Sequence, residues 1–114
     1  MEAQQINILE QHKRKLRALC EQHKVSQLYA FGSVLTPAFD LQKSDIDFYL
    51  IMEEGLEPLD KGEHILQLWY ALEQLFNRKI DLLTNTAITN RYLQKEIDRT
   101  KQLLYDRQSQ KVSR

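Results

Sequence analysis

The sequence predicts an α/β (α+β) domain in which a small mixed β-sheet is flanked by helices. Two observations lead to this fold class. Segments with apolar residues at helical spacing alternate with short apolar strands, and 114 residues allow one hydrophobic core but not a second. Only three glycines and two prolines interrupt the chain, which is typical of a compact domain. We expect residues 1–107 to form this single domain and residues 108–114 to be a disordered tail.

Three segments have the residue spacing of amphipathic helices. The first covers residues 4–23, the second residues 61–77 and the third residues 86–107. In the third helix we expect five side chains to point inward: Tyr92, Leu93, Ile97, Leu104 and Tyr105. Each helix therefore has an apolar face that can cover a sheet.

Three shorter segments are predicted to be β-strands. They cover residues 25–31, 44–52 and 78–84, and are rich in branched and aromatic side chains. Gly32 ends the first strand, because glycine permits the backbone conformation of a sharp turn. The resulting order is helix, strand, strand, helix, strand, helix, which favours a sheet with helices packed against it.

Charge and cysteine content argue against several classes of function. The 16 basic and 16 acidic residues give a net charge of zero, so there is no overall basic field and we expect no direct nucleic-acid binding. Residues 40–60 instead contain seven acidic residues and one basic residue, a local excess that attracts cations. Cys20 is the single cysteine, which excludes an internal disulfide.

The sequence has no feature of a secreted or membrane-bound protein. Its first residues lack the basic start and apolar run of a targeting segment. No apolar run approaches the roughly 20 residues that a membrane-spanning helix needs. We therefore expect a cytoplasmic protein without a membrane association.

Aspartates interrupt two of the predicted strands. Because alternate side chains of a strand share a face, Asp45 and Asp47 point the same way while Ile46 points into the core. Two like charges whose Cα atoms lie about 7 Å apart favour a cation between them. Asp81 interrupts the third strand, and all three carboxylates converge if that strand pairs beside the second. Oxygen ligands of this kind suit Mg²⁺.

A Gly-Ser pair lies a short loop ahead of these aspartates. Gly32 lets backbone N–H groups approach a phosphate closely. If a helical turn begins at Ser33, its free N–H groups and the hydroxyl face the same anion. The simpler alternative is that the aspartates are solvated residues on the exposed face of a sheet.

Together, Gly32-Ser33, the following loop, Asp45-Ile46-Asp47 and Asp81 resemble a known signature. It is that of the minimal nucleotidyltransferase (MNT) branch of the DNA polymerase β-like nucleotidyltransferase superfamily. The resemblance extends over nearly the whole chain, including the segment YLQKEIDRTKQLLYD, which is similar to the closing helix of these small proteins. It implies the nucleotidyltransferase fold, which is like the palm of polymerase β.

The resemblance also implies a reaction, the transfer of AMP from ATP to a protein hydroxyl with Mg²⁺ as the cofactor. Asp45 and Asp47 would be catalytic ligands of the Mg²⁺ that carries the nucleotide. Asp81 would be the third catalytic carboxylate, acting as a base toward the acceptor hydroxyl or as a metal ligand. Gly32 and Ser33 would hold the phosphates.

The resemblance further implies a protein partner. Minimal nucleotidyltransferases are typically paired with a HEPN-family toxin and adenylylate a tyrosine of that toxin. The chain would then be the antitoxin of a type VII toxin–antitoxin pair, and would form a hetero-oligomer with its partner.

The loop after the Gly-Ser pair departs from the family pattern. Many relatives have Gly-Ser-x-Ala-Arg-Gly, whereas residues 34–38 are Val-Leu-Thr-Pro-Ala and contain no arginine. Lys43, which we assign to nucleotide binding, or Lys79 near Asp81, can supply the missing charge. The departure leaves a second interpretation open: an MNT-fold protein, catalytically weak or inactive, that neutralises its partner by complex formation alone.

Overall fold

A computed structural model describes residues 8–108 of the chain. Its elements, in chain order, are α1 (Lys13–Gln22), β1 (Val25–Phe31), a 3₁₀ helix (Gly32–Leu35), β2 (Ile46–Met52), α2 (Pro58–Phe76), β3 (Ile80–Thr84), α3 (Arg91–Thr100) and β4 (Gln102–Asp106). Within residues 8–108, no helix combines the length and the apolar character that crossing a membrane requires. The predicted α/β (α+β) class is confirmed.

The four strands form one mixed sheet in the order β3-β2-β1-β4. β1 lies between β2 and β4 and is antiparallel to both, whereas β2 and β3 are parallel. The parallel pair is connected through α2, which is the usual way to return a chain to the same end of a sheet. As a result, β2 and β3 begin at the same end, which is the end where β1 finishes.

The main hydrophobic core lies between one face of the sheet and the helices α1 and α2. Phe48 and Leu50 of β2 are fully buried there, and the Phe48 ring lies 5.8 Å from the Phe76 ring of α2. Trp69 of α2 packs against this core and donates a 2.7 Å hydrogen bond from Nε1 to the carbonyl of Ile80. This bond ties the start of β3 to α2, so the core also sets the position of that strand.

The opposite face of the sheet is covered in part by α3. Tyr49 and Ile97 are buried but lie outside the main core, and Gln94 of α3 donates a hydrogen bond to the Tyr49 hydroxyl. The ammonium of Lys101, just after α3, lies 4.6 Å from the ring centroid of Tyr29 and 5.5 Å from that of Tyr49. The sheet is therefore the middle of three layers.

The prediction of a last helix over residues 86–107 is wrong at both ends, because the helix begins only at Arg91 and part of the second half is a strand. The helix ends at Thr100 and the chain continues as β4, in which Tyr105 is buried beside Leu28 of β1. Without β4, the apolar strand β1 would be the edge of the sheet, with unpaired N–H and C=O groups. Pairing with β1 outweighs the helical spacing of Ile97 and Leu104, which is the pattern that favoured a longer helix.

Two inward positions predicted for that helix are also wrong. Tyr92 is 86% exposed and Leu93 is 39% exposed, because only the side of α3 around Ile97 faces the sheet. The first predicted helix, residues 4–23, is interrupted by a turn at His12, whose Nδ1 bonds the carbonyl of Ile8. Residues 4–7 of that predicted helix, and residues 109–114 of the tail predicted over 108–114, lie outside the described residues.

Candidate active site

The sheet register places the two strand aspartates side by side. Asp47 of β2 pairs with Asp81 of β3, and Phe31 of β1 pairs with Asp47 from the other side. Residues paired across strands share a face, so these three side chains form one row. Asp47 alternates with the buried Ile46 and Phe48, and the row therefore lies on the face opposite the main core.

The Asp47 carboxyl is in an environment that disfavours its charge. Partial burial, then contact with the Asp81 carboxyl, then the charge of Asp45 raise the pKa of Asp47 from 3.8 to about 6. Among residues 8–108, no salt bridge joins any of these three aspartates to a basic side chain. The site therefore concentrates negative charge that the described part of the protein does not neutralise.

Asp45 lies one residue before β2 and is half-buried. Its charge acts on Asp47, but the structure does not bring it into a single ligand group with the other two. Within the described residues, no three His, Cys, Asp or Glu side chains lie close enough together to hold one metal ion. The arrangement is a contacting pair, Asp47 and Asp81, with Asp45 as a neighbouring charge.

Gly32 packs directly against this pair. It has φ +79°, a conformation that side chains rarely adopt, and a Cβ at this position would lie 2.5 Å from Oδ2 of Asp47. Both the backbone conformation and the lack of space therefore require glycine. The turn that ends β1 consequently brings its backbone against the Asp47 carboxyl.

The chain forms a 3₁₀ helix immediately after this turn, over Gly32–Leu35. Ser33 is in its first turn and is half-buried, and its carbonyl accepts hydrogen bonds from both the backbone N–H and the hydroxyl of Thr36. Val34 is buried and anchors the turn in the core. The N–H groups at the start of a helical turn have no acceptor within the helix, so they can donate hydrogen bonds to the oxygens of a phosphate.

Lys43 lies in the loop that leads to Asp45. The loop is tightened by the Oδ1 of Asp40, which accepts hydrogen bonds from the backbone N–H groups of Gln42 and Lys43, and by the Ser44 hydroxyl, which accepts one from the N–H of Asp40. The Lys43 side chain is exposed. It lies two residues from Asp45, at the end of the sheet where the carboxylates meet.

Sequence reasoning missed one residue of this region, Arg78. Its guanidinium donates hydrogen bonds to the carbonyls of Ser44, at 2.8 Å, of Asp40 and of Leu41, all in the loop before Asp45. The available signal was a basic residue three positions before Asp81, but the sequence does not show that α2 and β3 bring it to a loop more than 30 residues earlier.

The chemistry of these side chains fits a divalent cation that prefers oxygen. Mg²⁺ is commonly held by one or two carboxylates, with water and substrate phosphates completing its coordination. Asp47 and Asp81 provide such a pair, and their mutual repulsion is relieved when a cation binds. The Gly32 turn lies beside the same carboxylates, where phosphate groups of a substrate can reach it.

Comparison with known proteins identifies the family. A family model described as "Polymerase beta, Nucleotidyltransferase" matches residues 14–110 of the chain. MJ1379 of Methanocaldococcus jannaschii, a candidate protein adenylyltransferase, is 32% identical over 91 residues, which cover 80% of this chain and 85% of that protein. The match to the family model includes every aspartate of the site and the Gly-Ser turn.

Solved structures have the same fold. A candidate minimal nucleotidyltransferase superposes with a TM-score of 0.66 and 26% identity, over 82% of this chain and 90% of that one. A chain in the structure of a tri-AMPylated Shewanella oneidensis HEPN toxin in complex with an MNT antitoxin superposes with a TM-score of 0.55 and 20% identity, over 90% of this chain and 76% of that one. The chain thus belongs to the polymerase β nucleotidyltransferase family and is a nucleotidyltransferase with the fold of its minimal, single-domain members.

Proposed function

We propose that the protein transfers AMP from ATP to a hydroxyl of a partner protein, with Mg²⁺ as the cofactor. The acceptor is a tyrosine of a HEPN-family toxin, and the protein acts as the antitoxin of that toxin in a type VII pair. Asp45, Asp47 and Asp81 are the catalytic and metal-binding residues. Gly32, Ser33 and Lys43 bind the nucleotide.

The observation that carries this proposal is the contact between Asp47 and Asp81 beside the turn at Gly32. Two carboxylates that repel each other supply the ligands for a cation that carries a nucleoside triphosphate. The backbone N–H groups of the turn provide donors for its phosphates. The groups that we assign to the cation and to the phosphates therefore lie at one end of the sheet.

The roles of the chain's own residues follow from this arrangement. Asp47, with Asp45, would hold the cation, which when bound would supply the positive charge that neutralises the phosphates. Asp81 accepts the proton of the acceptor hydroxyl. The hydroxyl oxygen then forms a bond to the α-phosphorus, the bond from that phosphorus to the β-phosphate oxygen breaks, and pyrophosphate leaves. Positioning and charge neutralisation provide most of the catalysis.

The proposed partner is supported by the comparisons. MJ1379 is named as a candidate protein adenylyltransferase, which supports a protein acceptor. In the Shewanella complex the HEPN toxin is tri-AMPylated and bound to an MNT antitoxin with the fold of this chain.

The experiment that tests the proposal uses the protein, its genomic-neighbour protein, labelled ATP and Mg²⁺. Mass spectrometry then locates AMP on either chain. We expect AMP on a tyrosine of the neighbour, and loss of this transfer with Asp81→Asn. Asp60→Asn is the matched control, since Asp60 is an exposed carboxylate in the first turn of α2 and the variant should transfer as well as the wild type.

A second function, neutralisation by binding alone, is favoured by the lack of an arginine in residues 34–38. It predicts a stable complex with the neighbour and no AMP on either chain. It also predicts that Asp81→Asn protects cells from the toxin as well as the wild type does. Transfer that depends on Asp81 would contradict it.

A further inference from the structure

Arg78 connects the two segments that carry the site carboxylates. It follows the left-handed residue Asn77 at the end of α2 and stands three residues before Asp81. Its guanidinium reaches across to the loop of residues 39–44, which leads directly into Asp45. The N–H of Ile46 also donates a 3.3 Å hydrogen bond to the carbonyl of Lys79, so the two segments are adjacent in their backbones.

The contacts of the Arg78 guanidinium cover one side of the loop. Nη1 donates to the carbonyl of Ser44 at 2.8 Å and to that of Asp40 at 3.4 Å, and Nη2 donates to the carbonyl of Leu41. The guanidinium carbon lies 5.1 Å from the ring centroid of Phe39, which is buried in the core. One side chain thus contacts the loop at four points.

These contacts have a different effect from the hydrogen bonds within the loop. The bonds among Asp40, Gln42, Lys43 and Ser44 fix the shape of the turn but do not fix where it stands relative to β3. Arg78 adds a side-chain connection to the backbone bond between Ile46 and Lys79, because it belongs to the segment that enters β3. The planar fork of arginine can reach several carbonyls at once, which the single ammonium of lysine cannot.

We propose that Arg78 is a positioning residue that holds the loop before Asp45 and so orients Asp45 toward the Asp47–Asp81 pair, which controls how tightly the site binds a divalent cation. Both effects rest on the cation site of the proposed function, but only the effect on AMP transfer rests on the proposed reaction. Residues that orient metal ligands from outside the ligand set typically change metal affinity by about 10–100-fold when they are substituted.

The test measures binding of Mn²⁺ alone to the purified protein, by the loss of the free-ion electron paramagnetic resonance signal. We compare the wild type with Arg78→Met, which removes the charge and the donors, and with Arg78→Lys, which keeps the charge. Arg99→Met is the matched control, because Arg99 is exposed on α3 and pairs with Glu96 far along the chain from the loop. Thermal unfolding reports whether each variant is folded.

We expect the dissociation constant for Mn²⁺ to rise about tenfold or more in Arg78→Met, with an intermediate value in Arg78→Lys and no change in Arg99→Met. If Arg78→Met does not fold, weaker binding by a folded Arg78→Lys supports the proposal. Wild-type affinity in a folded variant at position 78 would overturn it.

A kinetic measurement separates this proposal from the proposed function. If the wild type transfers AMP, we expect Arg78→Lys to raise the concentration of Mg²⁺ needed for half-maximal transfer, while the rate at saturating Mg²⁺ falls less. A loss of saturating rate with unchanged Mg²⁺ dependence would contradict positioning of the cation ligands. If the wild type transfers nothing, the proposed function fails, and the Mn²⁺ titration still decides the role of Arg78.

Discussion

The two faces of the sheet differ in what their side chains do. On β2, Ile46, Phe48 and Leu50 are fully buried against α1 and α2, whereas Asp47 on the same strand lies half-buried beside another carboxylate. The core face excludes water and brings apolar groups together. The site face holds like charges in contact. One strand therefore provides stability with one set of alternate residues and reactivity with the other.

This difference shows that the stability of the site comes from the opposite side of the sheet. The carboxyl pair is unfavourable in the absence of a cation, yet the register that creates it is enforced by the packing of alternate residues in the core. A slip of one residue would move Phe48 to the site face and Asp47 into the core. We therefore expect substitutions on the two faces to have separable effects on stability and on binding.

The largest effect on stability should come from the core face. Phe48→Ala removes a fully buried ring and leaves a cavity next to Phe76, which should lower the free energy of unfolding by about 3–5 kcal/mol. Urea unfolding monitored by circular dichroism measures this. Phe31→Ala is the comparison on the site face, where the half-buried ring should cost clearly less. Equal losses would mean that the two faces do not differ in packing.

The next prediction concerns Gly32, where one substitution should change both stability and cation binding. Gly32→Ala forces a side chain into a left-handed conformation, at a cost of about 1–2 kcal/mol, and drives its Cβ against the Asp47 carboxyl. We expect lower stability and loss of Mn²⁺ binding. Gly55→Ala is the matched control, since Gly55 has φ +86° but nothing within 4 Å of its Cβ position. Gly55→Ala should lose only the stability that the backbone conformation costs, which is less than Gly32→Ala loses, and it should keep Mn²⁺ binding. A loss of binding in Gly55→Ala would contradict the argument.

A smaller effect of opposite sign is expected for Asp47→Asn. Because burial and the neighbouring carboxylates raise the pKa of Asp47 to about 6, the folded state resists ionisation. The resulting cost to stability is absent below the unfolded pKa of 3.8, grows as the pH rises and is complete above about 6. Asp47→Asn should therefore stabilise the apo protein by on the order of 1 kcal/mol at pH 8, after allowance for solvent screening, and have little effect at pH 4. Urea unfolding at both pH values is the measurement, and destabilisation at pH 8 would refute the prediction.

The smallest effect lies on the core side and has the reverse pH dependence. His23, at the end of α1, is buried with its Nδ1 3.1 Å from Nδ1 of His64 in α2. Burial and then the neighbouring imidazole lower the pKa of His23 below 6.5. Its contribution to stability is complete above pH 6.5 and is lost as the pH falls toward the folded pKa.

The background of Asp47→Asn isolates this titration, because it removes the opposite trend. In that background, we expect the free energy of unfolding to fall as the pH is lowered from 7.5 to 5.5, and to fall less when His23→Gln is added. His12→Gln provides the control, since His12 is half-buried near Phe76 and away from the pair. If the free energy of unfolding depends on pH equally with and without His23→Gln, the imidazole pair does not contribute to that dependence.

Much of this fold could be predicted from the sequence, because local patterns agree with the tertiary contacts. The strand over Val25–Phe31 has the predicted bounds, and the alternation around Asp47 predicted which side chains enter the core. The sequence predicts that the aspartates meet only if β2 pairs with β3, and the structure satisfies this condition for Asp47 and Asp81. Periodicity works where one face of an element is buried throughout its length.

The rest depends on contacts between distant segments, which a local pattern does not contain. β4 forms because β1 has a free edge, although Ile97 and Leu104 have helical spacing. The role of Arg78 depends on where α2 ends relative to the loop of residues 39–44, which precedes Arg78 by more than 30 residues. Neither signal is visible in a short window of sequence, because each arises only after the sheet has assembled.

The position of β4 at the edge of the sheet and at the end of the described chain also determines when the sheet can be completed during synthesis. Gln27 of β1 and Asp106 of β4 are hydrogen-bond partners separated by 79 residues. At a synthesis rate of about 5–20 residues per second, β1 exists for about 4–16 seconds before the ribosome has made its second neighbour. Asp47 and Asp81 are both made earlier in that interval. Throughout it, one edge of β1 is open to pairing with any extended segment, and this exposure to misassociation ends only when β4 has emerged.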